Sequence, residues 1–361
     1  MMTDPDSVLE VQDLTKHFPI TRGFLRRVIG HVRAVDGVSF RLRRGETLAL
    51  VGESGCGKTT TGRCVMRAIE PTSGSVFFRP APDASPVDIT RLDRRTLRDI
   101  QRHMGMIFQD PYASLNPRMT VLEIVGEPFI TRKLLSDRRE LERRVASLLQ
   151  NVGLDPALMR RYPHAFSGGQ RQRIAIARAL ALNPTLVVAD EPVSALDVSV
   201  QAQILRLLKD LQQEFHLSYL FITHNLAVVE YLSDRVAVMY VGKIVELGDT
   251  AQIFTRPRHP YTEALLAAVP VIEVDGERRR ERIVLEGDVA DPAHVPDGCA
   301  FHPRCPYAAP ICRTQEPPLV NMAGRDDAPH WVRCHFADEL ELRGVAYSAT
   351  ATPGATGQPN A

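Results

Sequence analysis

The run Gly52-Glu53-Ser54-Gly55-Cys56-Gly57-Lys58-Thr59 matches the phosphate-loop pattern G-x-x-x-x-G-K-[ST] in full. Glycines let a backbone close on phosphate oxygens, and N–H groups at a helix start add positive potential. Lys58 would neutralise the β- and γ-phosphates, and the Thr59 hydroxyl would ligate Mg²⁺. Gly52, Ser54, Gly55, Cys56, Gly57, Lys58, Thr59 and the adjoining Thr60 are the candidate nucleotide-binding residues, Cys56 as a small filler rather than a nucleophile. Leu186-Val187-Val188-Ala189-Asp190-Glu191 is an apolar run ending in two carboxylates. In a phosphate-loop protein the strand-end Asp190 would hold Mg²⁺ through water, and Glu191 would orient and polarise the attacking water. Phe166-Ser167-Gly168-Gly169-Gln170 offers a second anion-binding helix start. One nucleotide does not need two cradles in one subunit. The second is therefore expected to cover a nucleotide held by a partner.

A different chemistry is suggested near the C-terminus. Cys299, Cys305, Cys312 and Cys334 crowd together, whereas Cys56 and Cys64 are isolated. In a reducing compartment clustered cysteines point to metal before disulfide. Four thiolates suit Zn²⁺ or an iron–sulfur cluster, with His302, His330 and His335 as substitute ligands. Unligated packing cysteines are the alternative.

The elements that must position these residues read as alternating strands and helices. Strands are expected at Val8–Leu14, Thr47–Val51, Gly105–Phe108, Leu186–Ala189, Ser218–Ile222 and Arg235–Tyr240. Helices are expected from Lys58 to about Ala68, over Arg138–Val152, from the Ser167 cap through Arg171–Ala181, and over Val200–Phe215. Such alternation argues for an α/β core with parallel strands. The basic stretch from Arg22 to Arg44 is expected as a solvated loop or hairpin, and Arg79–Pro86 as a surface insert. Beyond about residue 250 proline punctuates the chain. A charged run follows at 277–282, and from about Tyr347 the small polar composition predicts disorder.

Composition sets the outer limits. The chain has 361 residues, with 44% hydrophobic and 24% charged, which excludes wholesale disorder. Its 44 basic and 43 acidic side chains nearly cancel, so no dominant nucleic-acid footprint is expected. No apolar run is long enough to span a bilayer. The acidic N-terminus lacks the apolar core of a secretory signal, so a cytosolic setting is expected.

With the phosphate loop, F-S-G-G-Q and the Asp190-Glu191 pair in one chain, residues 8–254 resemble the ATP-binding subunits of ABC transporters. The resemblance implies further site residues. Gln109 would join the metal to the membrane partner, Ser194-Ala195-Leu196-Asp197 would cross a dimer interface, His224 would sense the γ-phosphate, and Phe18 would stack on adenine, with His17 as a possible sharer. The catalytic set it implies is Glu191, His224 and Gln109. Mg²⁺ would be held by Thr59, Gln109 and Asp190, and Ser167, Gly168, Gly169 and Gln170 would close on a partner's ATP. Phe108-Gln109-Asp110-Pro111-Tyr112-Ala113-Ser114-Leu115-Asn116-Pro117 and Arg258-His259-Pro260-Tyr261-Thr262 resemble the oligopeptide and dipeptide importer branch, and the insert Thr21–His31 its F-type ATPase.

That resemblance implies a P-loop α/β core with an antiparallel β subdomain, a helical subdomain at about 111–176, and a small cysteine-rich C-terminal extension. The implied division is 1–254 for the ATP-binding domain, 255–340 for the extension and 341–361 for a disordered tail. The implied activity is ATP hydrolysis powering peptide import, with nickel, glutathione or another small solute as alternative cargo and a soluble ABC ATPase as a rival. Implied cofactors are ATP, Mg²⁺ and a [4Fe–4S] cluster at the four cysteines, zinc being the alternative. Implied partners are a second homologous ATPase in a heterodimer, two transmembrane permeases and an extracytoplasmic solute-binding protein, with the chain peripheral on the cytoplasmic face of the inner membrane.

Overall fold

The structure is a computed structural model that describes residues 4, 6–23, 27–268, 285, 287–324, 328–345 and 347. Two long strands, β1 (Ser7–Arg22) and β2 (Arg27–Arg43), precede β3 (Thr47–Val51) and helix α1 (Lys58–Val65). β4 (Ser73–Phe78) and β5 (Val87–Asp88) return beside β1, making an antiparallel sheet of order β2-β1-β4-β5. The basic stretch is thus the return arm of a hairpin, and its charges fall on the exposed face of β2.

α2 (Arg94–Ile100) and β6 (Met104–Ile107) lead into a helical layer of α3 (Pro111–Ser114), α4 (Val121–Thr131), α5 (Arg138–Asn151) and α6 (Gly168–Leu180). α4 is an element that periodicity did not reveal. Its start is marked by a capping box, Thr120 with Glu123, and it carries Pro128 inside. The chain then alternates β7 (Leu186–Asp190), α7 (Val198–Phe215), β8 (Ser218–Thr223), α8 (Leu226–Leu232) and β9 (Arg235–Tyr240). β10 (Lys243–Asp249), α9 (Thr250–Thr255) and α10 (Pro260–Ala267) follow. The C-terminal part supplies α11 (Pro310–Thr314), β11 (Val320–Asn321) and β12 (Trp331–Val332).

Among the described residues the main sheet has the order β11-β12-β10-β9-β3-β8-β7-β6. β3 runs parallel to β8 and β9, and β7 parallel to β6 and β8. β10 is antiparallel to both β9 and β12. The continuous apolar runs in sequence are explained by burial on both faces. In β3, Leu48 and Leu50 enter the core beneath the antiparallel sheet, while Ala49 and Val51 enter the core beneath α8 and α9. In β7, Leu186 and Val188 face the first of these, and Val187 and Ala189 face the helical layer. Strand ends are thereby pinned from two sides, which is what a site built at strand ends requires.

The C-terminal part differs from the small cysteine-rich extension expected. β12 pairs Val332 with Glu246 and Trp331 with Leu247, so this segment extends the main sheet itself. Phe301 packs with Tyr240 and Tyr261 in the shared core. The charged run 277–282 and residues 348–361 lie outside the described residues. Within the expected tail, the Val345 N–H donates to the Phe254 carbonyl at 2.7 Å and Tyr347 packs its ring on Phe254. No helix of the described residues is long and apolar enough to cross a membrane.

Candidate functional site

The loop from Gly52 to Gly57 joins β3 to α1, as its sequence context requires. Two glycines are dictated by close approach. A Cβ on Gly52 would lie 2.2 Å from the Met239 carbonyl oxygen, and one on Gly57 would lie 2.0 Å from that of Ala34. Gly57 also has a left-handed φ of 105°, which glycine adopts without strain. Cys56 is buried, and burial pushes its thiol pKa up, as befits a filler. The Lys58 ammonium donates to the carbonyls of Gly52 and Glu53, both at 2.8 Å, so the charge sits inside the loop.

The Thr59 hydroxyl donates to Asp190 Oδ1 at 2.8 Å, bringing the two expected magnesium-holding groups together across 131 residues. Burial raises the Asp190 pKa, opposed by the Thr59 hydrogen bond and the positive charges of Arg63 and Lys58. A bound cation would remove that penalty, so the oxygen donors here fit a hard divalent ion. Glu191, the next residue, holds φ at 46°, a left-handed conformation that costs a non-glycine residue ~1–2 kcal/mol. Its N–H donates to the Ile222 carbonyl at 2.9 Å. Its carboxylate is gripped on both oxygens. Gln109 Nε2 donates to Oε2 at 3.0 Å, and His224 Nδ1 lies 3.1 Å from Oε1. Three residues far apart in sequence therefore converge on the end of β7, from the ends of β6, β7 and β8.

The Ser167 side chain accepts from the Gln170 N–H at 3.3 Å, and the Ser167 N–H donates to Gln170 Oε1 at 3.0 Å. This capping box is worth about 1 kcal/mol and frames Gly168 and Gly169 in the first turn of α6. A Cβ on Gly169 would meet Val200 at 2.6 Å. Among the described residues no hydrogen bond links this turn to the phosphate loop. Phe18 is 36% exposed on β1 with the Lys16 ammonium 5.0 Å from its ring centroid. His17 turns instead to Asp36, at 3.1 Å, which leaves Phe18 as the available ring. In the Gln109–Leu115 segment Tyr112 is 62% exposed, with Arg171 stacked 4.0 Å over its ring, whereas Leu115 is only 2% exposed and belongs to the helical core. Of these two side chains, Tyr112 is the one at the surface.

The metal centre expected at the four cysteines is corrected. Among the described residues no group of three or more His, Cys, Asp or Glu side chains is placed to hold a metal ion, neither [4Fe–4S] nor zinc. Cys299, Cys305, Cys312 and Cys334 line an apolar nook with Phe301, Phe336 and Leu340. Burial pushes the Cys305 thiol up to about 12 and Cys334 up to about 11. Of the three histidines, His302 and His335 line the same nook, each with one ring nitrogen on a backbone carbonyl. His302 Nδ1 lies 3.0 Å from the Cys299 carbonyl oxygen, His335 Nε2 lies 2.9 Å from that of Gln315, and His330 pairs with buried Glu246 at 2.7 Å. Proximity in sequence is equally compatible with packing, and packing is what the segment uses.

Sequence reasoning missed three residues at the loop. Arg304 donates to both carboxylate oxygens of Glu53, at 2.8 and 3.2 Å, and the Glu53 N–H donates to the Tyr261 hydroxyl at 2.9 Å. With Glu53 and Arg304 separated by 251 positions, no local pattern could have signalled the pair.

Comparisons with known proteins agree with this geometry. A family model described as ABC transporter matches residues 35–194, and one described as oligopeptide/dipeptide transporter, C-terminal region, matches residues 245–312. The oligopeptide transport ATP-binding protein AppF of Bacillus subtilis (strain 168) is 52% identical over 333 residues, covering 92% of this chain and 98% of that protein. The di/tripeptide transport ATP-binding protein DppF of Pseudomonas aeruginosa (strain UCBPP-PA14) is 47% identical, covering 93% of this chain and 99% of that protein. A dimeric ATP-binding cassette in a post-hydrolysis state, bound to ADP and Pi, superposes with a TM-score of 0.58 at 29% identity, covering 67% of this chain and 98% of that one.

Proposed function

Since this chain belongs to the ABC transporter ATPases, in the branch that carries the oligopeptide/dipeptide transporter C-terminal region, we propose that it is the ATP-hydrolysing subunit that powers peptide import. The observation that carries this is the convergence of Gln109 and His224 on the Glu191 carboxylate beside the Thr59–Asp190 pair. An idle nucleotide-binding module has no use for a strained, doubly held carboxylate at that place.

In this mechanism Lys58 and the loop N–H groups bind the phosphates, and Phe18 stacks on adenine. Thr59, Asp190 and Gln109 would hold Mg²⁺, which supplies charge neutralisation across the phosphate oxygens. Glu191 accepts a hydrogen bond from the attacking water and draws its proton. His224 and Gln109 fix the direction in which that carboxylate points, and Gln109 links it to the membrane-facing surface. The helix start at Ser167, Gly168, Gly169 and Gln170 closes on a nucleotide held by a second, homologous ATPase. ATP thus bridges two subunits, and its cleavage releases them. The assembly comprises that second ATPase, two membrane permeases and an extracytoplasmic binding protein, with this chain peripheral on the inner face of the membrane. Residues 1–254 form the ATP-binding domain, with the helical subdomain at about 111–176, and residues 255–340 form the C-terminal region of this transporter branch.

Purification from detergent-solubilised membranes tests the assignment. Two permeases and a second ATPase are expected in the complex. Recovery with ribosomes in place of permeases overturns it. Within that complex, Tyr112→Asp is expected to leave ATP binding within about twofold, since Tyr112 makes no hydrogen bond to the loop, and to abolish peptide uptake by reconstituted vesicles. Normal uptake would remove Tyr112 from the permease surface. Leu115, in the same segment, is buried in the helical core, so Leu115→Asp probes folding rather than a partner surface. It buries an unpaired carboxylate and should cost ~3 kcal/mol or more of stability, read as a lowered thermal midpoint.

A further inference from the structure

We propose that Arg304 is a positioning residue for the phosphate loop, acting through Glu53, so that the C-terminal segment sets how tightly the site takes ATP. The proposal rests on the nucleotide-site reading above. Glu53 is the second residue of the loop, and each of its polar groups has a fixed partner. Its N–H donates to Tyr261, its carbonyl accepts from Lys58 at 2.8 Å, and its carboxylate accepts the two-pronged grip of Arg304. The Arg304 side chain is 7% exposed. Both outside partners of Glu53 come from beyond residue 255.

Arg304 is held where it can reach. It ends a short 3-10 turn, His302–Arg304, whose preceding residue Phe301 is wedged among Tyr240, Tyr261 and His259 with ring centroids 5.3, 5.4 and 5.7 Å away. The consequence for binding is electrostatic as well as geometric. A loop that receives a polyanion carries a carboxylate of its own, next to the carbonyl that bonds Lys58. Left uncompensated, that carboxylate repels the incoming phosphates and draws the Lys58 ammonium away from them. A bidentate guanidinium neutralises it and fixes it against the buried Arg304.

The full-length chain, titrated with a fluorescent ATP analogue and Mg²⁺, is the test. Arg304→Gln is expected to weaken binding ~10-fold, and Arg304→Lys, which keeps the charge without the fork, ~3-fold. Adding Glu53→Gln to Arg304→Gln is expected to recover most of the loss, because the offending charge is gone. A merely structural staple gives no such recovery. Unchanged affinity in Arg304→Gln, or a double variant no tighter than the single, overturns the proposal. Should Arg304→Gln fail to fold, Arg304→Lys with and without Glu53→Gln is judged by the same rule. Amide hydrogen exchange over residues 52–58, measured without nucleotide, separates the two levels of the argument. Faster exchange in Arg304→Gln supports the brace even if the analogue fails to bind the parent chain, an outcome that would sink the nucleotide reading. Unchanged exchange overturns the brace even if ATP binds normally.

Discussion

Glu191→Gln is expected to bind ATP normally and to hydrolyse it at least 100-fold more slowly, within the ~10²–10⁴ range of a lost general base. The geometry explains why so small a change suffices. The carboxylate now accepts from Gln109 on one oxygen and faces His224 on the other. An amide has one acceptor oxygen, so if that oxygen keeps the Gln109 bond, the amide N–H faces His224 Nδ1 and the imidazole must switch to the tautomer that accepts there. The remaining oxygen is too weak a base to draw a proton from water. The variant should therefore accumulate as an ATP-bound closed assembly. Single-turnover hydrolysis, with the assembly's other nucleotide site disabled, is the measurement. A wild-type rate there removes Glu191 from the chemistry.

Lys58→Ala should fail at an earlier step. Loss of a charge-assisted contact to phosphate is expected to weaken ATP binding ~10- to 100-fold, from the ~1.5–3 kcal/mol such bonds contribute. The same ammonium also ties Gly52 to Glu53 within the loop, so a modest fall in thermal midpoint should accompany the affinity loss. Equilibrium titration with a labelled nucleotide distinguishes this from Glu191→Gln, which binds and stalls. If Lys58→Ala retains the parent affinity, the loop does not bind phosphate as described.

The strands that carry the site were legible because burial on two faces leaves an unmistakable apolar run, as at Leu186–Ala189. The loop and the Ser167 cap were legible because their backbone chemistry restricts residue type at fixed spacing. The convergence of Gln109, Glu191 and His224 was implied only by family resemblance, since hydrogen bonds between strand ends leave no periodic trace. α4 escaped notice because it is apolar on most sides and contains Pro128, which blurs a helical period. The Arg304–Glu53 pair was invisible for a plainer reason: it joins distant segments through one contact. The cysteines misled because a short-range cluster says where thiols are in sequence and nothing of how they face one another.

The pairing of β12 with β10 bears on how the molecule is made. Glu246 and Val332 are neighbours in the ladder but lie far apart along the chain. At ~5–20 residues per second, β10 leaves the ribosome on the order of ten seconds before its partner strand is synthesised. During that interval the core can fold through β9 and β10, yet the outer side of β10 presents unpaired N–H and C=O groups to any passing strand. Buried Glu246 also waits for His330, which pairs with it at 2.7 Å only once the last part of the chain has arrived. Nascent chains stalled between residues 254 and 330 should thus be chaperone clients and aggregation-prone, and a gene cut after residue 254 would make that transient weakness permanent.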